Sequence, residues 1–344
     1  MKTKRIARTK WANLLVTIFI TIILGIPLFG FIPATKAAVT LKMSHQFPQG
    51  DSYSMAATYW ADLVEKQTKG RIKFQHFYSS TLVKPPQVFD ALKMGIADAG
   101  WVAISFATGK VPDFAIFEVQ DSVPDDKWIE VYKKVTPILT EIFAKHDIKY
   151  IWAPYLGVQI YITKNKFLKT PDDFKGLKIR GAGRGIVRAI ELWGGSPMFL
   201  DVAELYTGLQ RGTVDGANMT YTITKSNKFY EAAPYVTEFG WVCSNLVYIA
   251  VNMKVWNSIS PEDQRIMIGA VDEAMLHSDK MTRQMEADVR NEFKAMKDLH
   301  VYELTKEQQT RLLKLTLPTW DEARKNAGPL GNQLIDILAS YRKW

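Results

Sequence analysis

A chain of 344 residues with 44 Lys/Arg against 35 Asp/Glu carries a formal charge of +9, and 47% of it is hydrophobic. Six of the basic residues and none of the acidic ones fall within residues 1–37, so the remainder holds 38 basic against 35 acidic side chains and the electrostatic case for a nucleic-acid partner fails. The single cysteine, Cys243, excludes an internal disulfide, and the fold must rest on a buried core, for which residues 38–344 suffice as two lobes.

Lys2, Lys4, Arg5, Arg8 and Lys10 open the chain; an almost unbroken apolar run follows from Trp11 to Ile32, then small residues in "PATKAA". Basic, apolar, small is the order of a secretory signal, and cleavage after Ala37 puts Thr35 and Ala37 at the positions that need small side chains. The length of the run leaves a retained membrane anchor as the alternative; Pro27 and Pro33 near its end favour cleavage. No cysteine follows the run, which argues against a lipid anchor.

From Val39 the pattern alternates. "VTLKMSH" reads as a strand and "DSYSMAATYWADLVEKQTKG" as a helix with Asp51 as N-cap and Gly70 as stop. "RIKFQHFY" alternates as a second strand, "PPQVFDALKMG" is a helix opened by proline, and "IADAGWVAI" returns to the sheet. A βαβαβ order predicts an open, mostly parallel sheet covered by helices.

A second cycle begins near residue 150. "YIWAPYLGVQIYIT" is long and β-rich enough to run from one lobe into another. "PDDFKG" is a short helical turn, "LKIRG" a strand, "GIVRAIELWGG" a helix, and "DVAELYTGLQRG" a helix with Asp201 as candidate cap. "TVDGANM" leads back to a strand, and "YVTEFGWVCSNLVYIAVN" is the second crossing segment. From Ser260 the chain becomes helical, with "SPEDQ" supplying a serine cap and early proline. Met281, Met285 and Val289 recur at helical spacing as a core stripe. The expected organisation is a signal over 1–37, an α/β lobe over 38–155, a second over 156–240, and a return strand with C-terminal helices over 241–344.

Catalytic constellations are missing from the sequence. The five histidines are scattered, there is no Gly-x-Ser-x-Gly elbow, and Cys243 lies in an apolar β-rich run suited to a buried, inert thiol. Asp125 and Asp126 are expected to cap the "KWIEVYKKV" helix. "GAGRGIVR" is not Gly-x-Gly-x-x-Gly, and Arg184 would crowd a pyrophosphate there. Arg180 carries more. It ends the buried strand "LKI", at the C-terminal edge where open α/β sheets place ligands, and its planar fork suits a carboxylate. A structural arginine is the alternative.

"FKGLKIR", "GGSP" and "AELYTGLQRGTVDG", with the earlier "TKGRIKFQHFYSSTLVKPPQVFDALKMGIADAG" and the later "AVNMKVWNSISPEDQRIM", resemble the solute-binding proteins of TRAP (tripartite ATP-independent periplasmic) transporters across nearly the whole chain after the signal. The resemblance implies a two-lobed, periplasmic-binding-protein-like α/β fold with a ligand cleft between lobes joined by long crossing strands. It implies a periplasmic, monomeric receptor without catalysis, metal or cofactor, which hands a small organic acid to TRAP permease membrane subunits.

By the same resemblance Arg180 falls on the family's carboxylate clamp, and Glu204 and Tyr206 on the helix start beside the cleft. A second arginine of sialate- and dicarboxylate-binding members is replaced by the neighbourhood of Gln159. The family asparagine position holds Met219, with Asn218 one residue early, and Val202 stands where sialate-type members have phenylalanine. Trp101 and Trp241 are candidate walls, and Tyr221 is a further candidate contact. A cleft short of one charge and richer in apolar surface implies a monocarboxylate with an apolar or aromatic body. The alternatives are a C4-dicarboxylate or 2-oxoacid receptor, a receptor presenting its ligand to a signalling partner, and an exported α/β enzyme.

Overall fold

The computed structural model describes residues 38–120, 122–181, 183–242 and 247–342. Residues 1–37, expected to form a signal, and Cys243 lie outside the described residues. The first sheet begins with β1 (Val39–Ser44), β2 (Ile72–Phe77) and β3 (Ala99–Ala103), linked by helices α1 (Ser52–Gln67) and α2 (Val88–Met94). Strand β1 runs parallel to both neighbours, pairing Val39 with Ile72 and Met43 with Ala99. Asp51 caps α1 by accepting from the Tyr53 N–H at 2.9 Å. Helix α2 ends at Gly95, whose φ of 74° is the left-handed conformation glycine adopts without strain.

Helix α3 (Trp128–Ala144) then leads to β4 (Ile148–Trp152), and the chain crosses to the second sheet at β5 (Val158–Thr163). That sheet adds β6 (Lys178–Arg180), β7 (Ser196–Met198), β8 (Gly216–Met219) and β9 (Tyr235–Val242), with helices α4 (Arg184–Leu192), α5 (Val202–Arg211) and α6 (Tyr221–Ser226). Strand β10 (Val247–Asn252) returns to the first sheet, whose order is β2-β1-β3-β10-β4.

Both sheets are mixed, where the sequence pattern predicted a mostly parallel one. The crossing segments are the reason. Strand β10 comes back from the other lobe and so runs antiparallel to β3 and β4, while β5 runs antiparallel to β8 and β9. The local cycles stay parallel, as in β6 with β7 and β8, and so does the pairing of the C-terminal edge strand with β9.

The C-terminal region is not purely helical. After α7 (Met253–Ser258) and α8 (Pro261–Ala295), β11 (His300–Glu303) adds to the edge of the second sheet beside β9, before α9 (Lys306–Leu315), α10 (Pro318–Asn326) and α11 (Pro329–Ala339). Four residues are too few for their alternation to stand out against the helices around them. Ser260 caps α8, its hydroxyl accepting from the Asp263 N–H.

Helix α8, 35 residues long, touches both lobes. Near its start Trp60 of α1 donates to the Met267 carbonyl at 3.0 Å; near its end Lys225 of α6 pairs with Glu292. Its core-facing row is Ser278, Thr282, Glu286, Val289 and Phe293, and Met281 and Met285 are only half-buried beside it. Of the expected stripe Val289 lies in the core and Met281 packs against it, while three polar residues share the buried face.

The expected cap at Asp125 is also corrected. Lys127 occupies the N-cap position of α3 without a side-chain bond, and Asp125 accepts from the Tyr155 hydroxyl at 2.6 Å and pairs with Arg283 of α8 at 2.9 Å. An ion pair to a helix distant in sequence has taken the carboxylate.

Candidate ligand cleft

Arg180 stands at the C-terminal end of β6, beside Met198 of β7 and Ala217 of β8, with 6% of its surface exposed. Its Nε donates to the Leu200 carbonyl at 3.0 Å and an η-nitrogen donates to the Asn218 carbonyl at 3.4 Å. Two carbonyls, one from the loop after β7 and one from β8, thus fix the plane of the guanidinium. Leu200 is itself held: its side chain fills the space a Cβ on Gly208 would need, 2.5 Å away. The next residue, Asp201, accepts from the Ala203 N–H at 3.1 Å and caps α5. Loop, cap and arginine form one rigid unit.

This unit faces a cavity of about 590 Å³ between the lobes. The first lobe contributes Gln46, Phe47, Tyr53, Ser79, Ser80, Lys84, Ser105 and Phe106; the second contributes Phe199, Val202, Glu204, Asn218, Met219, Thr220, Ile223 and Asn227. Ser79 and Ser80 sit in the left-handed region with φ of 53° and 59°, and their N–H groups donate to the carbonyls of Phe47 and His45. Tyr53 is positioned by donating its hydroxyl proton to the Leu156 carbonyl at 2.8 Å. Among the charged lining residues Arg180 is buried, whereas Lys84, Asp201 and Glu204 are exposed.

Of the residues singled out in the sequence, Arg180, Asn218 and Glu204 line this cavity together, as do Met219 and Val202. Five others do not line it. Trp101 is buried behind Tyr53, stacked on it at 6.2 Å, and donates its indole N–H to His45 Nδ1 at 3.2 Å. Gln159 and Trp241 meet each other across the β5–β9 pair, the indole N–H donating to the Gln159 carbonyl oxygen. The Gln159 amide nitrogen is buried with no partner among the described residues. Tyr221 turns its hydroxyl to Glu238 at 2.9 Å, and Tyr206 turns its own to Glu231 at 2.9 Å.

Among the lining residues that sequence reasoning missed are Tyr53, Lys84, Phe106 and Phe199. Phe199 alone carried a signal, as an aromatic side chain in the short loop between a strand end and the Asp201 cap.

Two buried carboxylates lie outside the cavity lining. Asp51, behind Tyr53, and Glu118 are both pushed up to about 7, chiefly by burial. Glu118 reaches from the first lobe to accept from the Arg184 N–H at 3.3 Å, at the start of α4. His45 is driven down to about 3 by burial and by the neighbouring His76. Because Trp101 donates to its Nδ1, its Nε2 carries the proton and donates to His76 Nδ1 at 2.8 Å. Among the described residues no histidine lines the cavity. The arrangement suits capture of an anion.

The family model for "Bacterial extracellular solute-binding protein, family 7" matches residues 43–326. The chain is 26% identical over 262 residues to the 2,3-diketo-L-gulonate-binding periplasmic protein YiaO of Escherichia coli, covering 75% of this chain and 79% of that one. It is 25% identical over 315 residues to the C4-dicarboxylate-binding protein DctB of Bacillus subtilis, covering 89% and 87%. In fold it matches the periplasmic ectoine-binding protein of the Halomonas elongata TeaABC TRAP transporter, at a TM-score of 0.80 and 20% identity over 88% of this chain and 98% of that one. It likewise matches DctP7, a Bordetella pertussis extracytoplasmic solute receptor binding pyroglutamic acid, at a TM-score of 0.78 and 19% identity over 88% and 100%.

Proposed function

Since this chain belongs to family 7 of the bacterial extracellular solute-binding proteins, the DctP-type receptors of TRAP transporters, we propose that it captures a monocarboxylate with an apolar body and delivers it to a membrane permease. The observation that carries this reading is Arg180, buried, fixed in plane by two carbonyls, and open to a cavity walled by Phe47, Val202, Met219 and Ile223. A carboxylate laid against a guanidinium held in this way gains a charge-assisted pair worth roughly 1.5–3 kcal/mol. Because the walls come from both lobes, ligand binding favours the form in which the lobes are together.

Lys84 supports a second reading. It faces the cavity from the first lobe, so a second carboxylate could meet it there, as a C4-dicarboxylate would require. Mass spectrometry of the acid that co-purifies with the protein, followed by calorimetry with Arg180→Ala and Lys84→Ala, separates the two. The leading reading expects Arg180→Ala to weaken binding at least about tenfold and Lys84→Ala to change it little. Unchanged binding by Arg180→Ala sinks the anchor, and a dicarboxylate that loses affinity in both variants selects the second reading.

A further inference from the structure

Phe199 is 59% exposed, an unusual state for a phenylalanine on an otherwise fixed loop. Its backbone is pinned on both sides: Met198 belongs to β7, the Leu200 carbonyl holds Arg180, and Asp201 caps α5. The side chain nonetheless enters neither hydrophobic core. Its ring contact is with Phe106, at 6.0 Å between centroids and 83° between planes, an edge-to-face pair. Phe106 ends the helical turn Ile104–Phe106 that follows β3, where buried Ile104 anchors it. Phe106 therefore belongs to the first lobe and Phe199 to the second, and both face the cavity that holds Arg180.

We propose that Phe106 and Phe199 form an aromatic clasp across the cleft that selects carboxylates carrying an unsaturated ring. This inference rests on the reading of Arg180 as carboxylate anchor, and it adds what the rest of the ligand must be. The edge of one phenyl ring already packs on the face of the other, so a flat ring between anchor and clasp meets both an aromatic face and an aromatic edge. An acid too short to reach the clasp leaves Phe199 exposed to water, whereas a ring that reaches it buries that surface as the lobes meet. The one-residue link from the Phe199 backbone to Leu200, whose carbonyl accepts from Arg180, keeps clasp and anchor at a fixed spacing, so ring position as well as ring presence is read.

The test is calorimetric titration of the full chain without its first 37 residues, using acetate, butyrate, hexanoate, benzoate, phenylacetate and 3-phenylpropionate. The proposal expects at least one ring acid to bind at least about tenfold tighter than acetate and the straight-chain acid of similar size. Phe199→Ser should collapse that ratio at least about tenfold, and Phe199→Trp, which keeps an aromatic ring, should preserve it. Because Phe199 lies outside both cores, the melting temperature of ligand-free Phe199→Ser should stay within a degree or two of the parent, which removes misfolding as an explanation. A parent protein that binds acetate as tightly as the ring acids, or binds none of the series, overturns the clasp, as does an unchanged ratio in Phe199→Ser. Arg180→Ala reports separately: ring selectivity that persists while Arg180→Ala leaves every affinity unchanged overturns the anchor and keeps the clasp.

Discussion

Glu286 of α8 accepts the backbone N–H of Thr222 at 3.0 Å, and its other oxygen accepts that of Tyr221 at 3.4 Å. These are the first residues of α6, which follows the cleft residues Asn218, Met219 and Thr220 of the second lobe. The same carboxylate lies against Gly157, in the first crossing between the lobes. One buried acid on the helix that touches both lobes therefore ties together a crossing segment and the base of the cleft.

That acid sets a pH dependence. Burial raises Glu286 from 4.5 to about 7, overcoming the backbone bonds that favour its charged form. Between those values the unfolded chain has released its proton while the folded one retains it. The folded state then binds more protons, so stability falls as pH rises from 4.5 to 7 and levels off above. Glu118 and Asp51, raised to about 7 by burial, contribute with the same sign. Glu286 alone accounts for up to about 3 kcal/mol across this window. His45, driven down to about 3, works with the opposite sign below pH 6.5 and offsets part of this decline; urea titrations from pH 4.5 to 8 should therefore show a steeper fall, or a weaker rise, in the parent than in Glu286→Gln. The same pH dependence in parent and Glu286→Gln contradicts the assignment.

Gly157 has a φ of 93°, and a Cβ added there would stand 2.8 Å from the Glu286 carboxyl carbon. Gly157→Ala combines a left-handed backbone strain of about 1–2 kcal/mol with displacement of a buried carboxylate from its donors. The expected loss is roughly 2–4 kcal/mol in denaturant unfolding. The double variant Gly157→Ala/Glu286→Ala should lose less than the sum of the single ones, because the clash has one partner removed.

The path from sequence to site explains what could be read in advance. The cycle order, the Asp51, Asp201 and Ser260 caps and the two crossing segments are local patterns, and local patterns are legible. Arg180 is legible for the same reason, since a short strand around buried Ile179 that ends in arginine before glycines marks a strand end. Trp101 and Trp241 are different. Their strands are buried on both faces, so alternation does not say which side of the sheet a ring takes. The pairing of Gln159 with Trp241 depends on the β5–β9 register, which shifts by a bulge within that stretch. Glu286 was hidden because its donors are more than sixty residues away and its helix face looks polar. A cleft wall built from two lobes is a tertiary fact, and no window of sequence contains it.

Asp201 links helix capping to ligand binding. Asp201→Ala removes the acceptor for the Ala203 N–H and should cost about 1 kcal/mol of stability. The preceding carbonyl, on Leu200, orients Arg180, so loosening the cap should also weaken ligand binding by a few-fold. Asp201→Asn and Asp201→Ser, which keep a capping oxygen, should restore both quantities. Restored stability with affinity still reduced would indicate that the Asp201 charge acts on the ligand directly.

Arg180→Lys separates charge from geometry. Lysine retains the positive charge, but its ammonium is a single point on a flexible stem and cannot lie in one plane against two carbonyls and a carboxylate. The Leu200 and Asn218 carbonyls would compete for it, and whichever is lost leaves a buried acceptor short of a donor. If charge alone captured the ligand, Arg180→Lys would bind almost as well as the parent and Arg180→Ala would not. The planar arrangement predicts instead that Arg180→Lys loses at least about tenfold in affinity, close to the loss in Arg180→Ala. Calorimetry on the three proteins with the co-purifying acid decides this, and raising the salt concentration provides an internal check. A bidentate pair in a buried site should lose little affinity between low and physiological salt, whereas the lysine variant, held by charge alone, should lose more.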